Sequence, residues 1–449
     1  MGGGYLNRAI GNWATISGGH SNTASAIYTT VGGGTTNVAG QSYATVSGGL
    51  LNRASGVSSS VGGGQLNFAT ANWATIPGGQ LNLASQPYSA VGGGYYNSAA
   101  DDYATVAGGR NHTNAAYAGS IGGGATNLIL ANATASTISG GQNNLVEQGS
   151  LSATIGGGTS NFIANSYATI AGGGFNTNTA RFGTIGGGYA NQVFPAANNG
   201  VLGGGEINEV RGQYASLVGG LWNRVNTDFS FIGGGYGNVI DDTTSTIGGG
   251  ALNHAYGHKA FIGGGGNNEA HNWGATVGGG SGNIALAHTT TIPGGLQARA
   301  VSYGQQAYAS GQFATTGDAQ GSLFVSRNIT QNATPTQLYL DGTAARMIVP
   351  LNATWTFQTL VVARDNFAPS YNSAGWRIEG VVENFGGAMN LLCQTVTPLC
   401  SDMLGWSVTA GVWAAGADDG LSIIVTGSPT AANPVRWVAT TRTSEVVNP

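Results

Sequence analysis

The chain has 449 residues, of which 80 are glycine and only 7% are charged, whereas globular proteins average roughly 7% glycine and about 25% charged residues. A hydrophobic fraction of 41% and a regular spacing of Ile, Val and aromatic residues exclude a disordered chain, which has no reason to keep a register. A net charge of −4 with no basic stripe argues against nucleic acid as a partner. No apolar run approaches the roughly 20 residues of a membrane span, so no membrane insertion is expected.

A repeat built on Gly-Gly pairs fills the first two-thirds of the sequence. An Ile, Val or Leu stands two residues before each pair, at 19 positions that we call anchors: Ile16, Val31, Val46, Val61, Ile76, Val91, Val106, Ile121, Ile138, Ile155, Ile170, Ile185, Leu202, Leu217, Ile232, Ile247, Ile262, Val277 and Ile292. Three of the intervals between anchors are longer by two positions, and all the others equal the interval from Ile16 to Val31. Such a 15-residue period is typical of a solenoid and predicts an elongated β-solenoid over residues 1–300.

Each position of the repeat has a physical role. A β-branched anchor suits an inward-facing strand position, and the glycines at +2 and +3, as in Gly18-Gly19 and Gly33-Gly34, permit a tight turn. Asn stands at +6 in 17 of the 19 coils, and the first full coils carry it as Asn22, Asn37 and Asn52. Asn tolerates the left-handed region and, stacked coil on coil, can form an amide ladder. One coil is therefore predicted to be a strand, a glycine turn, an Asn turn and a second strand, without helix.

The residues three positions before the anchors predict how the chains assemble. Fifteen residues at about 3.3 Å each give a perimeter of about 50 Å, too thin a roll to enclose much core. An aromatic stands at this position in ten coils: Trp13, Tyr28, Tyr43, Trp73, Tyr88, Tyr103, Tyr167, Phe182, Tyr214 and Phe229. Because such a column would be a large exposed patch in a monomer, we expect a homotrimer that buries it around a three-fold axis. An alternation at +1 in the first coils leaves, as the alternative, a monomeric β-helix in which one turn takes two repeats.

The pattern changes after residue 300. A looser Gly/Ala repeat over residues 301–321 predicts capping coils, which the exposed end of a stack requires. Residues 322–449 hold five of the nine Trp residues, and strand-like runs recur there between turn signals, which predicts an antiparallel β-sandwich. Cys393 and Cys400 are the only cysteines, and a small hairpin disulfide and two free, half-buried thiols are equal alternatives.

The repeat resembles a known class of fibre proteins. Residues 44–56 read Ala-Thr-Val-Ser-Gly-Gly-Leu-Leu-Asn-Arg-Ala-Ser-Gly, similar to the Gly-Gly-x-x-Asn-x-Ala-Ser-Gly repeats of trimeric β-roll proteins in autotransporter adhesin heads and bacteriophage fibres. The Trp-Thr-Phe of residues 355–357 and the Val-Arg-Trp-Val-Ala of residues 435–439 are similar to terminal domains of phage tail fibres. The resemblance implies a trimeric, left-handed-type β-roll with a distal knob. Without an export signal, a coiled-coil stalk or a membrane barrel in the sequence, we expect a viral fibre.

The search for chemistry yields no catalytic or metal-binding constellation. The six His residues have no metal-ligand spacing, and the four Glu residues of the solenoid stand at unrelated coil positions: Glu147, Glu206, Glu209 and Glu269. The Asp pairs at residues 101–102, 241–242 and 418–419 would fit Ca²⁺, although solvated turns are the preferred interpretation. We therefore expect a chain that is not an enzyme and that carries no cofactor.

The combined prediction is a structural fibre or appendage, most simply a phage tail fibre on a virion or another extracellular surface. A bacterial adhesin or extracellular filament is the alternative, and an ice-binding solenoid is the second, because Thr or Ser precedes the anchor in most coils. We expect the C-terminal domain to contact a host-surface glycan or protein receptor through Trp376, Arg377, Trp413 and the Asp418-Asp419 loop. Exposed aromatic rings stack on sugars, and a place in the hydrophobic core is the alternative role for each tryptophan.

Overall fold

A computed structural model describes residues 2–365, 372–401, 405–414, 419–428 and 434–448 of the chain. The chain divides into two compact units, Met1–Asp228 and Phe229–Pro449. Every regular element among the described residues is a β-strand, so the predicted all-β class is confirmed.

The first unit consists of two columns of two-residue strands. The anchor column contains Thr15–Ile16, Thr30–Val31, Thr45–Val46, Ser60–Val61, Thr75–Ile76, Ala90–Val91, Thr105–Val106, Ser120–Ile121, Thr137–Ile138, Thr154–Ile155, Thr169–Ile170, Thr184–Ile185, Val201–Leu202 and Ser216–Leu217. The second column contains Arg8–Ala9, Thr23–Ala24, Val38–Ala39, Arg53–Ala54, Phe68–Ala69, Leu83–Ala84, Ser98–Ala99, Thr113–Asn114, Leu128–Ile129, Leu145–Val146, Phe162–Ile163, Thr177–Asn178, Gln192–Val193, Glu209–Val210 and Arg224–Val225.

The strand register shows one turn per repeat. Thr15 pairs in parallel with Thr30, and Thr30 pairs with Thr45, so each strand lies beside the strand one coil later. The three longer repeats keep this pairing, with Ile121 beside Ile138, because their two additional residues lie outside the strands. The predicted parallel solenoid of 15-residue coils is confirmed. The alternative with two repeats per turn is wrong, since it would pair each strand with the strand two coils later.

The anchors fill the interior of each coil. Ile16, Val31 and Val46 have no exposed surface, and neither do Ala24 and Ala39, which stand eight residues after the first two anchors. A small side chain opposite a β-branched anchor fits the narrow interior of a single coil.

The two glycines of each pair have different tasks. Gly19 has a φ of 95° and Gly34 a φ of 85°, both in the left-handed region. A methyl group on Gly19 would overlap the carbonyl oxygen of Gly34 in the next coil, so this position requires glycine for close backbone approach as well as for the turn. Gly18 and Gly33 have open space where a side chain would stand, although Gly33 has a φ of 154°.

A column of Asn side chains joins successive coils. Asn37 Nδ2 donates to the carbonyl oxygen of Gly33 in its own coil at 2.9 Å and to that of Gly49 in the next coil at 2.8 Å. Its Oδ1 accepts the backbone N–H of Asn52 at 2.9 Å, as the Oδ1 of Asn22 accepts that of Asn37. These side chains are fully buried, and each amide satisfies three backbone groups at the turn.

The second unit begins with the same two columns. Its anchor column contains Phe231–Ile232, Thr246–Ile247, Phe261–Ile262, Thr276–Val277, Thr291–Ile292 and Gln306–Tyr308. Its second column contains Val239–Ile240, His254–Ala255, Glu269–Ala270, Ile284–Ala285 and Arg299–Ala300. The remaining strands are longer on average and antiparallel: Ala319–Thr330, Thr336–Gln337, Met347–Ile348, Ala353–Asp365, Ser373–Phe385, Ala388–Ser401, Ser407–Trp413, Gly420–Thr426 and Val435–Val447.

The antiparallel strands form two sheets. The larger continues from the strand Gln306–Tyr308 in the order Ala319–Thr330, Val435–Val447, Ala353–Asp365, Ser373–Phe385 and Ala388–Ser401. In the smaller, Gly420–Thr426 pairs with Thr336–Gln337, Met347–Ile348 and Ser407–Trp413. One hydrophobic cluster takes side chains from both sheets, including Trp355, Trp437, Leu421 and Ile423. The predicted antiparallel region is confirmed, while the domain boundaries at residues 300 and 321 stay predictions.

The two cysteines are free thiols. Cys393 and Cys400 are exposed and lie on one strand, Ala388–Ser401. Seven residues of extended strand span roughly 23 Å, whereas a disulfide needs Cα atoms within about 7 Å. The alternative of a hairpin disulfide is therefore wrong, and the thiols are exposed where half-buried ones were expected.

We expect Asn52→Ala to destabilise the coils around it by about 2 kcal/mol, because the carbonyl of Gly48 and the N–H of Asn67 lose their partner in a buried place and the carbonyl of Gly64 keeps only the N–H of Leu50. Amide hydrogen exchange over residues 46–76 measures this locally, which matters because long repeat arrays do not unfold as one unit. Gln65→Ala is the control, since its amide makes one long contact of 3.4 Å, to Gln80. Equal exchange in the two variants would contradict the ladder's contribution.

Candidate functional site

Two of the predicted receptor residues lie on the strand Ser373–Phe385. Trp376 is only 4% exposed and stacks on Trp437 with ring centroids 5.6 Å apart, so it belongs to the core. Arg377, the next residue, points to the other side of the strand, where its Nε lies 3.6 Å from Oε1 of Glu379. The alternation along a strand separates the two side chains, and they do not form one contact surface.

The other predicted receptor residues divide in the same way. Asp419 is buried, which removes it from the surface, and Asp418 lies outside the described residues. Trp413 is 40% exposed at the end of the strand Ser407–Trp413. Of the predicted aromatic contacts, Trp413 is therefore the one that the fold presents to solvent.

Trp413 is part of a cluster around Arg346. The guanidinium carbon of Arg346 lies 4.2 Å from the centroid of the Trp413 ring and 5.4 Å from that of Tyr339. Such cation–π contacts contribute roughly 0.5–1 kcal/mol at exposed sites. Arg346 also lines a cavity of about 290 Å³, together with His288 and Tyr303. We call Arg346, Trp413, Tyr339, His288 and Tyr303 the arginine–aromatic cluster; Trp413 and Tyr339 pack on the guanidinium, and Arg346, His288 and Tyr303 line the cavity.

The local fold positions this cluster. Gly420 pairs with Trp413 on one side and with Ile348 on the other, so the strand after Arg346 and the strand that ends in Trp413 flank the same neighbour. In the loop before Arg346, Asp341 Oδ1 accepts the backbone N–H groups of residues 343, 344 and 345. Desolvation acts in the opposite direction, but the Thr343 hydroxyl and these N–H groups hold the pKa of Asp341 below its usual value.

A second cluster lies on the outward +7 and +9 positions of the solenoid coils in the second unit. His254 Nε2 lies 2.5 Å from Oδ2 of Asp241, and His271 Nε2 lies 2.6 Å from Oε2 of Glu269. The Tyr256 ring stands between the two imidazoles, at centroid distances of 3.5 and 4.4 Å. Desolvation, followed by the negative charges of Glu269 and Asp241, raises the pKa of Tyr256. We call these five residues the histidine face.

The sequence interpretation missed the histidine face because it compared spacings among residues of one type. The expectation that the Glu residues occupy unrelated positions is wrong, since Glu209 and Glu269 both stand at +7. Numbering by coil position also places Asp241, Tyr256 and His271 in one column, each one coil after the last. Sorting all polar residues by coil position is the signal that would have found this cluster.

The aromatic column lies on the surface of the single chain. Its ten rings are between 44% and 67% exposed, and all ten residues have a φ between 54° and 63°, in the left-handed region. Trp13 stacks on Tyr28 at 4.9 Å and Tyr28 on Tyr43 at 5.3 Å, and Trp73 stacks on Tyr88 at 4.8 Å. Because the faces are occupied by stacking, the ring edges are what the column presents outward.

The described part of the chain holds no group of three or more His, Cys, Asp or Glu residues arranged to bind a metal ion. In the Asp pair at residues 101–102, Asp101 Oδ1 instead accepts the backbone N–H of Asp102. Within the same described ranges, no helix has the length and hydrophobicity that crossing a bilayer requires.

Comparison with family models and with curated proteins finds no match, whereas the solved structures that match include phage tailspikes. The tailspike gp49 of Acinetobacter baumannii bacteriophage Fri1, a capsular polysaccharide depolymerase, has 7% identity and a TM-score of 0.21, over 96% of this chain and 80% of that one. The Acinetobacter baumannii phage AM24 tailspike has 10% identity and a TM-score of 0.18, over 85% of this chain and 73% of that one. The Acinetobacter phage vB_ApiP_P1 tailspike has 11% identity and a TM-score of 0.19, over 96% of this chain and 82% of that one.

These neighbours correct one expectation. The expectation that this chain is not an enzyme, which followed from the lack of a catalytic constellation in the sequence, is contradicted, since the Fri1 tailspike is described as a capsular polysaccharide depolymerase. At these identities and TM-scores the likeness carries no argument about what this chain binds or cleaves.

We expect Trp376→Ala to lower the free energy of unfolding by about 3–5 kcal/mol, because removing the buried ring leaves a cavity beside Trp437. Trp413→Ala removes a ring on the surface and should cost less than about 1 kcal/mol, the value of its contact with Arg346. Thermal unfolding followed by circular dichroism compares the two. Similar losses in both variants would overturn the division into a core and a surface tryptophan.

Proposed function

We propose that this protein is a surface appendage of the phage tail-fibre type that attaches to a host-surface glycan through its second unit. The observation that carries the proposal is the arginine–aromatic cluster, in which the exposed Trp413 ring packs on the Arg346 guanidinium and Arg346 lines a cavity with His288 and Tyr303. A virion tail or another extracellular surface is the location that this function requires.

The cluster has the composition that sugar recognition needs. The C–H faces of a sugar pack on an aromatic ring, and Trp413 keeps part of its ring in solvent. Arg346 provides several N–H donors in a fixed orientation, because the ring of Trp413 lies against its guanidinium. The cavity of about 290 Å³ is close to the lower end of the range in which proteins hold small ligands, roughly 300–1,000 Å³.

The aromatic column supports a homotrimer as the functional form. A non-glycine residue in the left-handed region costs roughly 1–2 kcal/mol of backbone free energy. All ten residues of the column have this conformation, and their large rings are half-exposed. Stacking along the column contributes about 0.5–1.5 kcal/mol per pair and offsets the backbone cost. It leaves the outward edges of the rings without a contact within the column. Ring edges from neighbouring chains would supply one, and aromatic residues are enriched in the cores of protein interfaces.

Light scattering should give three times the chain mass of 44.9 kDa for the purified protein. A triple variant, Trp73→Asn, Tyr88→Asn and Tyr103→Asn, should shift the assembly towards single chains, because it removes three stacked rings and keeps residues that tolerate a positive φ.

The control for this experiment is the double variant Tyr95→Asn and Tyr96→Asn, which removes exposed rings from a different corner of the same coil. It should remain trimeric. A monomeric full-length protein, or equal dissociation of the two variants, would refute the trimer.

Binding to an array of purified bacterial capsular and lipopolysaccharide glycans tests the attachment function. We expect Trp413→Ala and Arg346→Ala each to weaken binding at least about tenfold, the usual loss when a central aromatic or arginine contact is truncated. Phe385→Ala, at an exposed turn, is the control and should bind as the unmodified chain does. A chain that binds no glycan on the array, or whose binding survives both cluster substitutions, would refute the proposal.

A further inference from the structure

A second cleft adjoins the histidine face in the last coils of the solenoid. It has a volume of about 390 Å³, and Ile284 and Leu286 lie between Glu269 and His271 on one side and Arg299 on the other. Glu269 pairs with Ile284, and Ile284 pairs with Arg299, so the three are consecutive rungs of one column. At about 4.8 Å per rung, the backbone positions of Glu269 and Arg299 lie about 10 Å apart. The side chains of Ile284 and Leu286 form an aliphatic floor between them.

The charges of the cleft are unequal at its two ends. The Glu269 carboxylate has the His271 imidazole as its partner at 2.6 Å. The main chain of Arg299 is held from both sides by Gln320, whose Oε1 accepts the Arg299 N–H and whose Nε2 donates to the Arg299 carbonyl, each at 2.8 Å. Among the described residues the Arg299 guanidinium has no ion-pair partner, and it lines this cleft as well as a neighbouring cavity that Asp318 and Glu445 share, so a fixed backbone presents an unpaired cation here.

A rigid loop forms the remaining wall. Asp318 accepts the backbone N–H groups of Phe313, Ala314 and Thr315 at 2.8, 2.6 and 2.7 Å. Desolvation works against ionisation, but these three N–H groups hold the pKa of Asp318 below its usual value. The ionised carboxylate therefore continues to accept these hydrogen bonds at neutral pH. Thr315 lines the cleft together with Arg299.

We propose that this cleft binds an acidic saccharide chain of the uronic acid type. Arg299 takes the sugar carboxylate, Ile284 and Leu286 pack against its C–H face, and Glu269, His271 and Thr315 exchange hydrogen bonds with its hydroxyl groups. An inorganic anion would not pack on the aliphatic floor, and a neutral sugar would leave the Arg299 cation without a partner. The charge and the floor together therefore favour an acidic saccharide. The inference rests on the proposed function for the glycan as ligand, but it concerns a site separate from the arginine–aromatic cluster.

The test uses the full chain and a panel of hyaluronan, alginate and polygalacturonate, with methyl-esterified polygalacturonate and dextran as uncharged counterparts. We expect at least one acidic polymer to bind, and its methyl ester or dextran to bind at least tenfold more weakly. Arg299→Gln should weaken that binding at least tenfold and Arg299→Lys less, because lysine keeps the charge but loses the planar donors. Arg53→Gln, at the same coil position in the first unit, is the matched control and should change affinity by less than twofold.

The outcomes separate this inference from the proposed function. If no acidic polymer binds, or if Arg299→Gln binds as well as Arg53→Gln does, the cleft is not an acidic saccharide site. If poly-glutamate binds as tightly as the saccharides and loses binding with Arg299→Gln, the cleft recognises acidic peptides and the saccharide assignment is overturned. If glycan binding is lost in Trp413→Ala but kept in Arg299→Gln, the proposed function holds and this inference fails.

Discussion

The contact between the backbones of successive coils at the glycine turn is the constraint on which the solenoid depends. There the second glycine of each pair lies against the carbonyl of the next, as Gly19 lies against Gly34, with no space for a side chain. The Asn column bonds to the same carbonyls and carries the connection from coil to coil. A stack with so close an approach has to repeat the same residues at the same places, which accounts for the strict period of the repeat.

The small perimeter that follows from this contact decides where side chains can act. The anchor, the +8 residue, the Asn and a small residue two positions before the anchor fill the interior of a coil, so the interior has no space for a ligand. Function is left to the outward positions and to the corners. The left-handed corner before each anchor carries the stacked aromatics, and the outward face of the second strand carries the His254 and His271 pairs.

Charge is scarce in this chain, and its distribution is therefore informative. Only 7% of residues are charged, yet Asp241, Glu269 and Arg299 stand on the outward face of a few neighbouring coils of the second unit. Four of the six histidines also lie between residues 254 and 288. On an otherwise uncharged surface the field of such groups is not masked by neighbours, and this favours recognition of charged ligands there.

The sequence by itself determined the coil. The fixed spacing of Ile16, Gly18, Gly19 and Asn22 predicts the strand, the turn and the stacking, because a β-branched residue favours a strand, glycine permits the turn and a stacked Asn can bond from coil to coil. It did not determine the surfaces, because tryptophan is as frequent in a core as in a binding site. Only the tertiary structure placed Trp376 inside and Trp413 outside. It also brought His254, Tyr256 and His271 together, since contacts between coils depend on register, not on proximity along the chain.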